Sequence, residues 1–144
     1  MKSHSRAEHH NYLELARVLL VDADPTSRLT LQTVLEAGGY HVDAAASAAE
    51  AVGKLDEQEY QLVLSDLQME SPEAGLKVLA HARNMEYKPA TALVTSYRNA
   101  NAKTPKQSRA LVEPEDVPGL LSKVASLISQ RAARRVQREL RHAN

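Results

Sequence analysis

Gln61-Leu62-Val63-Leu64-Ser65-Asp66 is the stretch that decides the fold. An unbroken aliphatic run leads through one serine into a carboxylate. Such a run, too short for a helix, reads as a strand buried on both faces, the pattern of a parallel sheet covered by helices. In open parallel α/β sheets, ligands sit beyond the carboxyl ends of the strands. Asp66 is therefore expected at that rim, at the tip of a central strand. An acid that merely caps the next segment would look the same, so the rest of the chain has to discriminate.

Working outward, the same pattern recurs upstream. Arg17-Val18-Leu19-Leu20-Val21-Asp22 is a second buried run that ends in aspartate. Asp24-Pro25 then reads as a helix start, with aspartate at N-cap and proline at N1. Leu31, Val34 and Leu35 supply one apolar face, and Gly38-Gly39 end the helix. Tyr40 to Ala45 is a short strand, and Ser47-Ala48-Ala49-Glu50 has the form of a capping box ahead of Ala51, Val52 and Leu55. Downstream of Asp66, Ser71-Pro72 predicts a third helix with Leu76, Leu79 and Ala80 inward. Ala90 to Thr95 is a fourth strand, Ala110-Leu111-Val112 a short fifth, and from about Val117 a last helix carries Leu120, Leu121, Val124, Leu127 and Ile128. Between these last two strands, Tyr97 to Arg109 is polar, holds Pro105 and offers no apolar face, so it is expected to be the least regular connection. The alternation of strand and helix implies a parallel sheet with right-handed crossovers.

Composition fits one α/β domain. The chain has 144 residues and a formal net charge of zero, which gives no overall bias toward nucleic acid or a membrane surface. Cysteine is absent, which excludes disulfides, thiolate catalysis and cysteine-based zinc sites. There is no apolar run long enough to cross a bilayer and no signal-peptide core, so the cytoplasm is the expected location. Phe and Trp are also absent, and the core must be built from Leu, Val and Ala.

Asp22, Asp66 and Thr95 all fall at carboxyl ends of predicted parallel strands and should converge on one edge. Two carboxylates close together suit a hard divalent cation such as magnesium. A carboxylate beside such a cation and a hydroxyl is suited to accept a phosphoryl group as nucleophile.

These residues carry a family resemblance. Val18-Leu-Leu-Val-Asp22-Ala-Asp-Pro25, Leu62-Val-Leu-Ser-Asp66-Leu-Gln-Met69, Gly75-Leu-Lys-Val-Leu79, Leu93-Val-Thr95-Ser96 and Ala110-Leu-Val-Glu113-Pro114 resemble, in order and spacing, the motifs of response-regulator receiver domains. The resemblance covers roughly residues 17–130. It implies a flavodoxin-like, doubly wound sheet of five parallel strands in the order 2-1-3-4-5, here with an extended C-terminal helix. It divides the chain into a flexible N-terminal arm (1–15), a receiver domain (16–130) and a basic helical extension (131–144). It implies a phosphorelay signalling domain of two-component type rather than an enzyme, served by a histidine kinase or phosphotransfer protein. With no output domain after it, the chain reads as a stand-alone receiver. Matched position by position, Asp66 resembles the phosphoacceptor and Thr95 the switch hydroxyl. Asp22, Asp66 and the backbone carbonyl of Gln68 resemble the magnesium ligands, and Asp24 is a further candidate.

Several positions depart from the pattern. The second acid of the family's metal pair is Ala23, with Asp24 one residue on. The family's lysine is Glu113, the switch aromatic three residues before it is Ala110, and the loop after Asp66 is slightly longer, with Glu70-Ser71-Pro72. Two like charges about 4 Å apart at an effective dielectric near 20 repel by roughly 4 kcal/mol, so a glutamate in place of the lysine opposes an incoming phosphoryl group. The expectation is an atypical receiver, weakly phosphorylated or signalling without phosphorylation. By resemblance the Glu113–Pro114 bond is expected to be cis, which before proline costs only about 0.5–1 kcal/mol.

Two further readings belong to the sequence. Leu20-Val-Asp22-Ala-Asp24-Pro-Thr26 also resembles the Asp-x-Asp-x-Thr opening of haloacid-dehalogenase-type phosphatases, in which Asp22 would be the nucleophile, Asp24 the acid/base and Thr95 the second hydroxyl. That reading leaves Asp66 unexplained. The last helix carries Arg131, Arg134, Arg135, Arg138 and Arg141 against Glu139. Arginines suit a helix C-terminus, and with Leu127, Ile128, Val136 and Leu140 the helix offers a face for pairing with a second copy; nucleic acid is the lesser expectation.

Overall fold

A computed structural model describes residues 16–66, 69, 71, 73–94, 111–112 and 117–143, with the backbone alone at 111–112, 117 and 143. The elements run β1 (Arg17–Val21), α1 (Pro25–Ala37), β2 (His41–Ala45), α2 (Ala48–Glu57), β3 (Leu62–Asp66), α3 (Ala74–Arg83), β4 (Ala90–Val94), β5 (Leu111–Val112) and α4 (Val117–Ala143). The strands are hydrogen-bonded in parallel in the order β2-β1-β3-β4-β5. The sheet is not five full strands, however. Its body is β2-β1-β3-β4, five residues each, and β5 is a two-residue rung opposite Leu93 and Val94. The apolar run there is short, and proline at 114 has no N–H to extend a ladder.

The aliphatic runs are continuous because both faces of the sheet are covered. Val18 and Leu20 of β1, with Leu62 and Leu64 of β3, pack against Leu31 and Leu35 of α1 and Leu120, Val124 and Leu127 of α4. Leu19, Val21, Val63 and Leu93 face the other way, against Ala51 and Leu55 of α2 and Val78, Leu79 and Ala82 of α3. Alternation of side chains along each strand sends neighbours to opposite layers.

Local signals explain the starts of α1 and α2. Asp24 caps α1, its side chain accepting from the Ser27 N–H, with Pro25 next. The α2 capping box is made in part: Ser47 Oγ accepts from Glu50 N–H at 3.1 Å, and Glu50 reaches back to Ala46 N–H at 2.8 Å. The third helix departs from expectation. It begins at Ala74 rather than at Ser71-Pro72, with Glu73 at the cap in helical backbone conformation and making no side-chain cap bond. The buried face shifts accordingly to Gly75, Val78, Leu79 and Ala82, while Ala80 is exposed and Leu76 only partly buried. The Tyr97 to Arg109 connection and the Glu113–Pro114 bond lie outside the described residues.

A polar network closes the amino end of the sheet. Tyr60, fully buried, donates its phenol to Asp43 at 2.7 Å, and Arg17 and His41 approach the same carboxylate at 3.3 and 3.5 Å. Burial alone would raise Asp43. The Tyr60 hydrogen bond and the Arg17 and His41 charges outweigh it and hold the carboxyl below its ordinary range. A folded-state pKa below the unfolded one gives stability that is complete above about pH 4 and is lost as pH falls through the folded value. Asp43→Asn should therefore cost about 1–2 kcal/mol in urea unfolding at pH 7, and the difference from the unaltered chain should shrink by pH 3. Equal differences at both pH values would contradict this assignment.

Candidate functional site

The parallel register brings the two strand-tip acids side by side. Val21 pairs with Ser65 and Asp66 with Val94, so Asp22 and Asp66 stand at one height on adjacent strands, at the carboxyl edge. Strands so paired are about 4.8 Å apart. Asp22 is 2% exposed and firmly held. Its N–H donates to Ala45 O at 3.0 Å, and its Oδ1 accepts from Asp24 N–H at 2.9 Å. Asp66 is only partly buried and so remains reachable from the edge.

The approach behind Asp66 is set by Gly75. A Cβ at that position would lie 2.5 Å from the Asp66 carbonyl oxygen, so the first turn of α3 packs directly on the strand tip only because the residue has no side chain. Sequence reasoning placed Gly75 in a motif but did not give it this role.

Arg28 was also missed. Its Nη1 donates to the Asp22 carbonyl at 2.8 Å, which brings a guanidinium to an edge that reads as purely acidic in the sequence. The only signal was its place one turn into a helix that starts beside Asp22. Asp24 serves as the cap of α1, with Oδ2 accepting Ser27 N–H at 3.1 Å. Ala23, where the family has its second acid, is exposed. Among the described residues no group of three or more His, Cys, Asp or Glu is gathered for a metal ion. A two-carboxylate set remains, Asp22 and Asp66, and magnesium can be held by one or two carboxylates with water completing its shell. Gln68, Thr95 and Glu113 lie outside the described residues, although Thr95 directly follows Val94, the partner of Asp66.

The family model of the response regulator receiver domain matches residues 18–111. The chain belongs to that family. Its curated relatives include the CAI-1 autoinducer sensor kinase/phosphatase CqsS of Vibrio cholerae, 29% identical over 78% of the chain, and the gliding motility regulatory protein of Myxococcus xanthus, 32% identical over 65%. The chain spans only 17% and 12% of those two proteins. The response regulator receiver protein CpdR of Brucella abortus is 24% identical over 79% of the chain and is itself covered over 98%. Among solved structures, a CheY-like receiver domain protein from Methanospirillum hungatei superposes with a TM-score of 0.69 at 25% identity, covering 84% of this chain and 99% of that one. NtrX from Brucella abortus in complex with ADP superposes at 0.75 and 18% identity, covering 88% of this chain and 29% of that one. This receiver therefore has the flavodoxin-like α/β fold of its relatives, with α4 running 27 residues. No helix among the described residues is long and apolar enough to cross a membrane.

Proposed function

We propose that this receiver takes a phosphoryl group onto the Asp66 carboxylate from a histidine kinase or phosphotransfer partner. The observation that carries the reading is the pairing of a partly exposed Asp66 with a buried, hydrogen-bonded Asp22 at the carboxyl edge of the sheet. An Asp66 oxygen attacks phosphorus and forms the O–P bond. The P–N bond to the partner's histidine breaks, and the imidazole leaves with the electron pair and regains a proton from solvent. A magnesium ion, when bound, offsets the charge of the incoming group. Asp22 and Asp66 are the residues to hold it, with the Gln68 carbonyl. Thr95 supplies the hydroxyl that engages the phosphorylated state.

The reaction is expected to be slow. Ala23 removes a metal ligand and Glu113 places a negative charge where the family has a positive one. Arg28 is held on the Asp22 carbonyl and offsets only part of this. The role of Asp24 as helix cap supports the receiver over the phosphatase reading, because its Oδ2 is committed to Ser27 N–H. Exposed Val136 and Leu140 on α4 support pairing of two copies there; a strictly monomeric chain in sedimentation at high concentration would remove that part.

The test is turnover of a generic aryl phosphate with magnesium. A receiver releases product slowly, and Asp66→Asn stops it. Sustained turnover that survives Asp66→Asn and is abolished by Asp22→Asn would overturn the proposal in favour of a phosphatase.

A further inference from the structure

A concavity lies at the edge of the sheet opposite the two acids. It is a cavity of about 500 Å³ between the α3–β4 loop and the middle turns of α4. Ala90 and Thr91, which line it, open β4, and Asp66 pairs with Val94 at the other end of that strand. Four residues of strand separate the two sites, about 13 Å along the sheet.

The lining is cationic to an unusual degree. Arg83, Lys88, Lys123, Arg131, Arg134 and Arg138 all contribute, and no acidic residue does. No ion pair among the described residues neutralises any of the six. Lys123, Arg131, Arg134 and Arg138 share one side of α4. Arg83 and Lys88 come from the other wall, so the charges converge on a hollow rather than spread over a flat face.

The hollow is also built rigidly. Arg131 is 7% exposed, and its Nε and Nη2 donate to the carbonyls of Lys88 and Tyr87 at 2.9 and 2.6 Å. Lys88 adopts φ 45°, a left-handed conformation uncommon for a residue with a side chain. Its Nζ donates to Arg83 O at 2.9 Å, which ties the loop to the end of α3. Burial first, then the neighbouring Arg135 and Arg138 charges, push the Arg131 guanidinium below its ordinary value; Glu59 opposes and Arg134 adds. Like charges gathered this way destabilise one another until an anion joins them.

We propose that this cavity binds an oligophosphate, a small molecule carrying two or more adjacent phosphate groups. Guanidinium forks match phosphate oxygens bidentately, and several cations around one hollow favour clustered over single negative charge. The volume suits a small molecule, and Leu127 and Ala90 give the floor an apolar part on which a nucleoside or similar body can rest.

The test is calorimetric titration of the full chain with tripolyphosphate in magnesium-free, low-salt buffer, with orthophosphate, ATP and a short DNA duplex as further arms. The expected result is saturable one-site binding of tripolyphosphate at least about tenfold tighter than orthophosphate. ATP binding as tightly or tighter would identify the nucleoside-borne source, and tripolyphosphate alone the free one. Arg134→Glu/Arg138→Glu should weaken binding at least about tenfold and Arg138→Glu alone at least about threefold, whereas Arg141→Glu, with the same charge change as Arg138→Glu on the same helix but outside the cavity, should change it less than about twofold. Lys123→Glu should weaken binding from a different turn, and circular dichroism checks that each variant keeps its helices. Asp66→Asn should leave binding unaltered, which separates this site from the acidic edge. Equal losses in Arg138→Glu and Arg141→Glu, no saturation by tripolyphosphate, duplex binding without tripolyphosphate binding, or loss with Asp66→Asn would each overturn the proposal.

Discussion

The Ala23→Asp/Glu113→Lys double variant should be labelled at Asp66 by a small phosphodonor about 10- to 100-fold faster than the unaltered chain. Under the proposed function the two positions belong to one site. Aspartate at 23 would supply the missing acid next to Asp22, a position now exposed and therefore open to a longer polar side chain. Lysine at 113 would exchange repulsion of the incoming group for attraction, and each 1.4 kcal/mol recovered in the transition state is worth tenfold in rate. Because both act on the same charge, the single variants should not add: the double should exceed the product of the singles. Magnesium affinity should rise with Ala23→Asp. Labelling rates of the four proteins, with magnesium titrations, check this. If the unaltered chain already labels as fast as the double variant, the acidic edge is not deficient in cations.

Gly75→Ala should both destabilise the domain and slow labelling. The added Cβ meets the Asp66 carbonyl at 2.5 Å and Ser65 Oγ at 3.3 Å, and the carbonyl, being backbone, cannot rotate away. Overpacking of this kind costs about 1–3 kcal/mol, against up to about 1 kcal/mol gained from alanine's better helix propensity. Relief has to come from moving α3 or the tip of β3, and the tip carries Asp66. Gly53, in α2, provides the contrast. Nothing lies within 4 Å of a Cβ placed there, so Gly53→Ala should stabilise by about 0.5–1 kcal/mol and leave labelling alone. Urea unfolding and phosphodonor labelling of both variants decide it. A Gly75→Ala protein as stable and as reactive as Gly53→Ala would show that the close approach is not what positions Asp66.

The elements written in continuous apolar runs were legible before any coordinates. Val18 to Val21 and Leu62 to Ser65 read as strands covered on both faces and are, and the Asp24-Pro25 start of α1 and the Ser47 cap of α2 are local signals that tertiary packing did not override. Ser71-Pro72 carried an equally clear local signal, but α3 starts at Ala74, where Gly75 allows contact with Asp66; here packing on the strand tip prevailed over capping chemistry. Ala80 was accordingly assigned inward one turn-position away from the true face.

At the site, the adjacency of Asp22 and Asp66 followed from strand order and register alone. Asp24 had three readings in the sequence, ligand, phosphatase acid/base and cap, and the bond from Ser27 N–H is the one that the cap reading expects. What could not be read was anything that depends on a long side chain crossing between elements. Arg28 folding back onto the Asp22 carbonyl is one case. Arg131 reaching the loop before β4, some 40 residues upstream, is another, and it ties together two walls of the cationic cavity. The arginines of the last helix read as suited to a helix C-terminus, because nothing in their spacing reveals that residues 83–91 stand opposite.

The most direct measurement is the intact mass of the chain after incubation with a small phosphodonor and magnesium, beside Asp66→Asn treated the same way. The expected result is a slowly accumulating species heavier by one phosphoryl group in the unaltered chain and none in Asp66→Asn. A phosphoryl adduct that persists in Asp66→Asn would contradict the assignment of Asp66 as the acceptor, as would an Ala23→Asp/Glu113→Lys chain that stays unlabelled.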